Sequence, residues 1–140
     1  MALIVDAGAL LAQADVDDPN HDAVRDVLVR EREELVTTEL AIAEADYLIL
    51  TRLGLDAEAA FLDDLVEGTF VVDCLDVAGL RRARELIVRH RDLRIGLADA
   101  SLIVLAAQRD TRRILSFDQR AFRAVPPLQG GAFTMLPADA

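Results

Sequence analysis

The chain has few of the residues on which several common kinds of site depend. Its 140 residues include one cysteine, Cys74, and two histidines, His21 and His90. A single cysteine excludes an intramolecular disulfide, and these three side chains are too few for a four-coordinate zinc site made of cysteine and histidine. Any metal ion would therefore be bound by oxygen ligands.

Long apolar runs are also missing. No run approaches the roughly 20 residues that a membrane-spanning helix needs, and the N-terminus lacks the basic region and cleavage site of a signal peptide. Hydrophobic residues still make up 53% of the chain, and the mean hydropathy is +0.26. We therefore predict a single cytoplasmic domain over residues 1–140, with enough apolar material for a core.

Lysine is absent, so all 15 basic residues are arginine. The formal net charge is -10, but residues 1–80 carry 4 arginines against 19 acids, whereas residues 81–140 carry 11 against 6. Arginine suits bidentate phosphate contacts, although a compositional preference for arginine explains the count equally well. The arginines of RRARELIVRHRDLR (81–94) and QRDTRR (108–113) are thus either phosphate contacts or parts of a solvated surface.

Strand patterns alternate with helical patterns along the chain. Residues of β-branched and aromatic type predict strands at 2–6, 35–38, 69–74, 113–117 and 132–136. Apolar spacings of three and four predict helices at 7–14, 20–33, 39–53, 56–67, 76–90 and 97–109. Parallel neighbours need crossovers long enough to hold a helix, so the alternation predicts a three-layer α/β/α fold with a mainly parallel central sheet.

Three acidic residues stand in apolar surroundings. Asp6 follows the strand pattern ALIV, Asp118 follows ILSF, and Asp99 lies in the apolar helix pattern IGLADASLIVLA. A lone buried carboxylate costs on the order of several kcal/mol unless it is paired or binds a cation. Parallel sheets bind their ligands at the carboxyl ends of the strands, so the positions of Asp6 and Asp118 favour a binding site over a purely structural role. The structural alternatives are a helix cap at Asp6 and stabilisation of Asp99 by a helix N-terminus.

A fourth acid is expected from the helix pattern ELAIAEADYLILTRL, residues 39–53. Glu44 and Asp46 both have apolar neighbours at helical spacing, so periodicity does not choose between them. The remaining acids cluster in polar segments and are read as solvated surface.

The segments LIVDAGALL, AIAEADYLI, IGLADASLIVLA and ILSFDQRAF resemble, in order and spacing, the four acidic motifs of the PIN-domain ribonucleases, in particular the VapC-type toxins of bacterial toxin-antitoxin pairs. The resemblance implies Asp6, Glu44, Asp99 and Asp118 as catalytic residues, with Ser116 as a supporting hydroxyl. It implies Asp6, Asp99 and Asp118 as metal ligands. The segment RIGLA before Asp99 has no further acid, so no fifth ligand is expected there.

The same resemblance implies an endoribonuclease that hydrolyses RNA phosphodiester bonds with Mg2+ or Mn2+. Clustered carboxylates raise one another's pKa unless a hard cation compensates their charge, and such a cation also activates water for attack on a phosphodiester. The implied partners are a second copy of the chain and a VapB-type antitoxin whose tail covers the acidic site.

Three other functions fit parts of the same pattern. A phosphoacceptor receiver domain shares the α/β plan but needs a lysine near its last strands, and this chain has none. A haloacid dehalogenase-like phosphatase needs a second aspartate where this chain has Gly8. A PIN-fold binding module without catalysis would usually have lost at least one of the four acids. Their joint presence favours the nuclease.

Overall fold

A computed structural model describes residues 1–140 and contains one sheet of five strands in the spatial order β3-β2-β1-β4-β5. All neighbouring strands are parallel, which confirms the predicted sheet. The strands are β1 (Leu3–Val5), β2 (Leu35–Thr38), β3 (Val71–Asp73), β4 (Arg113–Leu115) and β5 (Thr134–Leu136).

Helices occupy the connections, and the fold is the predicted three-layer α/β/α arrangement. They are α1 (Ala7–Ala14), α2 (His21–Arg30), α3 (Glu39–Leu53), α4 (Leu55–Val66), α5 (Val77–Arg89), α6 (Leu97–Gln108) and α7 (Gln119–Ala124). A short 3-10 turn, Arg91–Leu93, joins α5 to α6. None of these helices is both long and apolar enough to cross a bilayer.

The core is centred on β1 and α6. Leu3, Ile4 and Val5 of β1 are buried, because this strand pairs on both edges and is covered by helices. Residues 100–106 of α6 are all buried as well, as a helix that is apolar on every side should be. Helix α6 packs against α3, α5, β1 and β2, so its first turn is held in a rigid setting.

The predicted strands 2–6 and 113–117 are longer than the observed ones at their carboxyl ends. Val5 lies opposite Leu115, and the Asp6 backbone N–H still donates to the Leu115 carbonyl at 3.2 Å. The chain then turns at once into α1, while Ser116 continues from β4 toward α7. Asp6 and Ser116 therefore leave the sheet side by side.

The predicted helix 20–33 is also too long, since α2 ends at Arg30. Glu31 leaves the helix and forms an ion pair with Arg113, whose Nη2 lies 2.5 Å from Glu31 Oε2. This pair joins the segment before β2 to the first residue of β4.

Candidate active site

Three of the four predicted acids lie at helix N-termini. Asp6 is the N-cap of α1, and its Oδ1 accepts a hydrogen bond from Ala9 N–H at 2.8 Å. Asp118 is the N-cap of α7 and accepts from Ala121 N–H at 3.2 Å. Asp99 lies in the first turn of α6. The partial positive charge of a helix N-terminus stabilises each of these carboxylates.

The Asp6 carboxylate does cap a helix, as the structural alternative predicts. Capping uses only Oδ1, and each carboxylate oxygen has two lone pairs. An ideal Cβ built on the exposed Gly8 would lie 3.6 Å from Asp6 Oδ1, so any other residue at this position would place its side chain in contact with the carboxylate. A cap and a ligand are therefore compatible roles.

Ser116 connects two of the acids. Its buried hydroxyl donates to Asp6 Oδ2 and accepts from the backbone N–H of Asp118 at 3.0 Å. Asp6 itself is only 4% exposed, so both of its oxygens rely on partners within the protein. The hydroxyl holds the Asp6 carboxylate and the start of the Asp118 turn in one arrangement, as its position in the motif implies.

A buried chain of hydroxyl groups joins α3 to α6. Thr38 caps α3 by accepting from Ala41 N–H at 3.1 Å, and its hydroxyl donates to Ser101 Oγ at 2.7 Å. Ser101 in turn donates to the Ala98 carbonyl at 2.6 Å. This contact sets the helix that carries Glu44 against the first turn that carries Asp99. The Thr38 cap follows from the strand-to-helix pattern, but no sequence signal pairs it with Ser101.

The charges of the four acids act on one another. Burial raises the pKa of Asp6 from 3.8 to about 6; the charges of Asp118 and Glu44 raise it further, while the hydrogen bonds from Ser116 and Ala9 oppose the rise. Burial likewise raises the pKa of Asp99 to about 7, followed by the charges of Asp118, Asp6 and Glu44. The structure therefore brings all four predicted acids into one electrostatic neighbourhood.

The structure also separates Glu44 from Asp46. Glu44 is exposed and acts on Asp6 and Asp99, whereas Asp46 acts on neither. Asp46 instead acts on Glu58 of α4, whose pKa it raises. These electrostatic effects favour Glu44 over Asp46, as the motif implies, and the catalytic role of Glu44 stays a prediction.

The donor set suits a hard divalent cation in its chemistry, because all four groups are carboxylates. No group of three or more histidine, cysteine, aspartate or glutamate side chains is close enough to hold a metal ion as the side chains stand. The four acids still act on one another electrostatically, because charges interact over many ångströms, whereas Mg2+ ligands lie about 2.0–2.1 Å from the ion. Coordination would require Asp6 and Asp118 to share or leave their capping contacts.

One large surface depression does not contain these acids. It has a volume of about 790 Å³ and lies beside α2, where Arg30, Arg113 and Pro137 are among its lining residues. Size alone would place a ligand site there, but its shifted groups, Glu31 and Arg113, are an ion pair that satisfies itself. Asp6 and Asp99 have raised pKa values and no cationic partner, which is typical of a functional site. We therefore assign the chemistry to the acids.

Known proteins share both the sequence pattern and the fold. The family model of the PIN domain matches residues 3–127. Ribonuclease VapC26 of Mycobacterium tuberculosis is 40% identical over 135 residues, which are 96% of this chain and 100% of that protein.

Two solved structures have the same fold. VapC20 of Mycobacterium tuberculosis, described as a toxin that cleaves the sarcin-ricin loop, has a TM-score of 0.81 and 18% identity over 87% of this chain and 94% of its own. VapBC2 of Rickettsia felis, bound to a DNA fragment from its promoter, has a TM-score of 0.67 and 11% identity over 91% of this chain and 96% of its own.

Asp99 is expected to oppose folding at neutral pH when no metal is bound. Its pKa is about 7 in the folded protein against 3.8 ordinarily, so the folded state binds the proton more tightly. Protonated Asp99 therefore stabilises the folded state relative to the ionised form. This stabilisation is complete below about pH 4 and is lost as the pH rises to about 7. The Asn side chain of Asp99→Asn cannot ionise, so the free energy of unfolding of this variant, relative to wild type, should increase as the pH rises from about 4 to about 7.

Urea denaturation in EDTA, repeated across this pH range, measures the difference. Asp76→Asn, at the exposed N-cap of α5, serves as the control for the same substitution at a helix N-terminus outside the site. A difference between Asp99→Asn and wild type that does not change with pH would contradict the raised pKa.

Proposed function

This chain belongs to the PIN-domain family, and we propose that it is a VapC-type endoribonuclease that hydrolyses RNA phosphodiester bonds with a divalent cation, Mg2+ or Mn2+. The observation that carries the proposal is that burial, together with the charges of the other acids, raises the pKa of Asp6 and Asp99, so that acids from four parts of the chain act on one another. The 40% identity to a ribonuclease across that protein's whole length supports the same activity.

Asp6, Asp99 and Asp118 are the residues that would hold the cation. When bound, the cation supplies positive charge that activates water and stabilises the charge on the phosphoryl oxygens. Asp6 is held for this role by Ser116, and Asp99 by the first turn of α6. Glu44, on α3, would orient the attacking water or help to hold a second cation.

The raised pKa values couple this chemistry to protons. Asp99, with a pKa of about 7, and Asp6, with a pKa of about 6, retain protons to higher pH than ordinary aspartates. Positive charge at the site favours their ionised forms, so each carboxyl group loses its proton as it takes up its ligand role. No cysteine or serine nucleophile is needed for this reaction.

The proposed partners are RNA and a VapB-type antitoxin, and the proposed place of action is the cytoplasm, where RNA is present. The fold shared with VapBC2 of Rickettsia felis supports a toxin-antitoxin pairing. Residues 1–80 carry 19 acids against 4 arginines, and this excess of negative charge would attract a basic partner.

Replacing Asp6 by Asn tests the metal-ligand role against the capping role. Asn caps helices about as well as Asp, so the fold should survive. Removing the negative charge should lower the rate of RNA cleavage by about 100-fold or more. A tenfold loss of rate corresponds to only about 1.4 kcal/mol of lost transition-state stabilisation, so a 100-fold loss requires about 2.8 kcal/mol. The measurement is cleavage rate against Mg2+ concentration, with thermal unfolding in EDTA as the check on folding.

Asp76→Asn is the matched control, since Asp76 caps α5 through a 2.8 Å contact from Gly79 N–H, much as Asp6 caps α1. It should cleave RNA like wild type. Full activity of Asp6→Asn at an unchanged Mg2+ optimum would return Asp6 to a purely structural role.

We also infer a homodimer, from apolar side chains that α3 and α4 leave exposed. The exposed members of this surface are Tyr47, Leu50, Leu55, Leu62 and Val66, with Val66 86% exposed. Apolar side chains concentrated on two adjoining helices are typical of an interaction surface. A second copy of the chain is the occupant that the family resemblance implies.

Sedimentation equilibrium should give a mass twice the 15.3 kDa of one chain. Leu55→Glu with Val66→Glu should give the mass of one chain, while Val29→Glu, at an exposed position of α2, should leave the dimer intact. A wild-type mass of one chain at working concentration would remove the homodimer and leave the catalytic proposal untouched.

A further inference from the structure

Six arginines are concentrated between the middle of α5 and the start of α6. Segment 81–94 has only two acids, Glu85 and Asp92, against Arg81, Arg82, Arg84, Arg89, Arg91 and Arg94. All six are exposed, and none forms an ion pair. The segment is therefore locally positive on a chain whose net charge is -10.

Three of these arginines line an open groove of about 660 Å³, which we call the arginine groove. Its lining residues are Arg84, Glu85, Val88, Arg89 and Arg91. Glu85 stands four positions before Arg89 on α5 but makes no ion pair with it. Arg91 Nε donates to the Val88 carbonyl at 3.4 Å, which leaves its two terminal nitrogens free, and the guanidinium groups of Arg84 and Arg89 remain available to a ligand. The half-exposed Val88 adds an apolar side chain to the lining.

The groove ends at the turn before α6, and this turn connects to two of the four acids, Asp99 and Asp118. From Arg91 the chain runs through the 3-10 turn to Gly96, the N-cap of α6, and Asp99 follows in the first turn. The guanidinium group of Arg120, two residues after Asp118, donates to the Leu93 carbonyl in the same turn. Both acids are thus tied to the turn at which the groove ends.

The other arginine-rich segment is used within the fold. Arg109 pairs with Asp73 at 2.8 Å and with Glu34 at 3.0 Å, and Arg113 pairs with Glu31. Arg112 donates to the carbonyls of Gly130 and Gln129 at 2.7 and 3.1 Å. For this segment the partners within the protein explain the arginines, so the two segments differ in what they offer to a ligand.

We propose that the arginine groove binds the phosphate backbone of a single-stranded RNA substrate beside the bond to be cut. The inference rests on the proposed function, since it concerns the same substrate and site. Four carboxylates on a negatively charged protein repel a polyanion, and arginines next to them supply local attraction. Arginine forks match phosphate oxygens bidentately, and such contacts position a strand without reading its sequence.

The test is binding of a fluorescein-labelled single-stranded RNA of mixed sequence, measured in EDTA so that binding is separated from cleavage. The groove variant is Arg84→Gln with Arg89→Gln and Arg91→Gln. Each lost phosphate contact on a single strand lowers the slope of log K against log salt by about 0.7, so the slope should fall by about two. Affinity at low salt should fall about tenfold or more.

The matched control is Arg25→Gln with Arg30→Gln and Arg32→Gln. These three arginines lie on and just after α2, are not ion-paired, and carry the same total charge. The control should keep the wild-type salt slope. In the cleavage assay the groove variant should raise KM with little change in kcat, because the lost contacts bind substrate and transition state alike.

An equal loss of affinity in the groove and control variants would overturn the proposal, since net charge alone would then explain binding. Polyglutamate serves as a probe for an acidic protein partner. If the groove variant keeps the wild-type affinity for RNA but no longer binds polyglutamate, which the wild type binds, the proposal is overturned in favour of such a partner. If the wild type cleaves no RNA with Mg2+ or Mn2+, the proposed function fails, while the binding assay in EDTA still decides whether the groove holds RNA.

Discussion

The burial of neighbouring carboxylates at the carboxyl end of a parallel sheet is the constraint on which this structure depends. Adjacent strands β1 and β4 deliver Asp6 and Asp118 to one edge, and α3 and α6 add Glu44 and Asp99. Burial and mutual charge raise the pKa of Asp6 to about 6 and of Asp99 to about 7. A fold that keeps such a cluster carries a cost at neutral pH, which a cation would offset.

The fold limits that cost with three helix N-termini and two hydroxyl contacts. Asp6 and Asp118 each cap a helix, and Asp99 occupies the first turn of another. Ser116 connects Asp6 to the turn of Asp118, while the pair of Thr38 and Ser101 connects α3 to α6. The contacts that make the metal-free site tolerable are also those that would preorganise its ligands.

Much of this arrangement could be predicted from the sequence, because strand and helix patterns alternate clearly and an acid after an apolar strand marks a sheet edge. Pattern reasoning could not choose Glu44 over Asp46, since both have apolar neighbours on α3 and only tertiary packing separates them. Nor could it distinguish the free arginines of segment 81–94 from the paired Arg109 and Arg113, because their partners Glu31 and Asp73 are distant in sequence. The contact between Thr38 and Ser101 spans 63 positions and has no local signal.

The central claim is that these acids form one divalent-cation site. Anomalous diffraction from crystals soaked in Mn2+ tests it most directly, because the metal is located without reference to activity. The account predicts an anomalous peak in contact with carboxylate oxygens of Asp6, Asp99 and Asp118. Ordered Mn2+ bound only elsewhere, with Asp6 and Asp118 keeping only their present contacts within the protein, would contradict it.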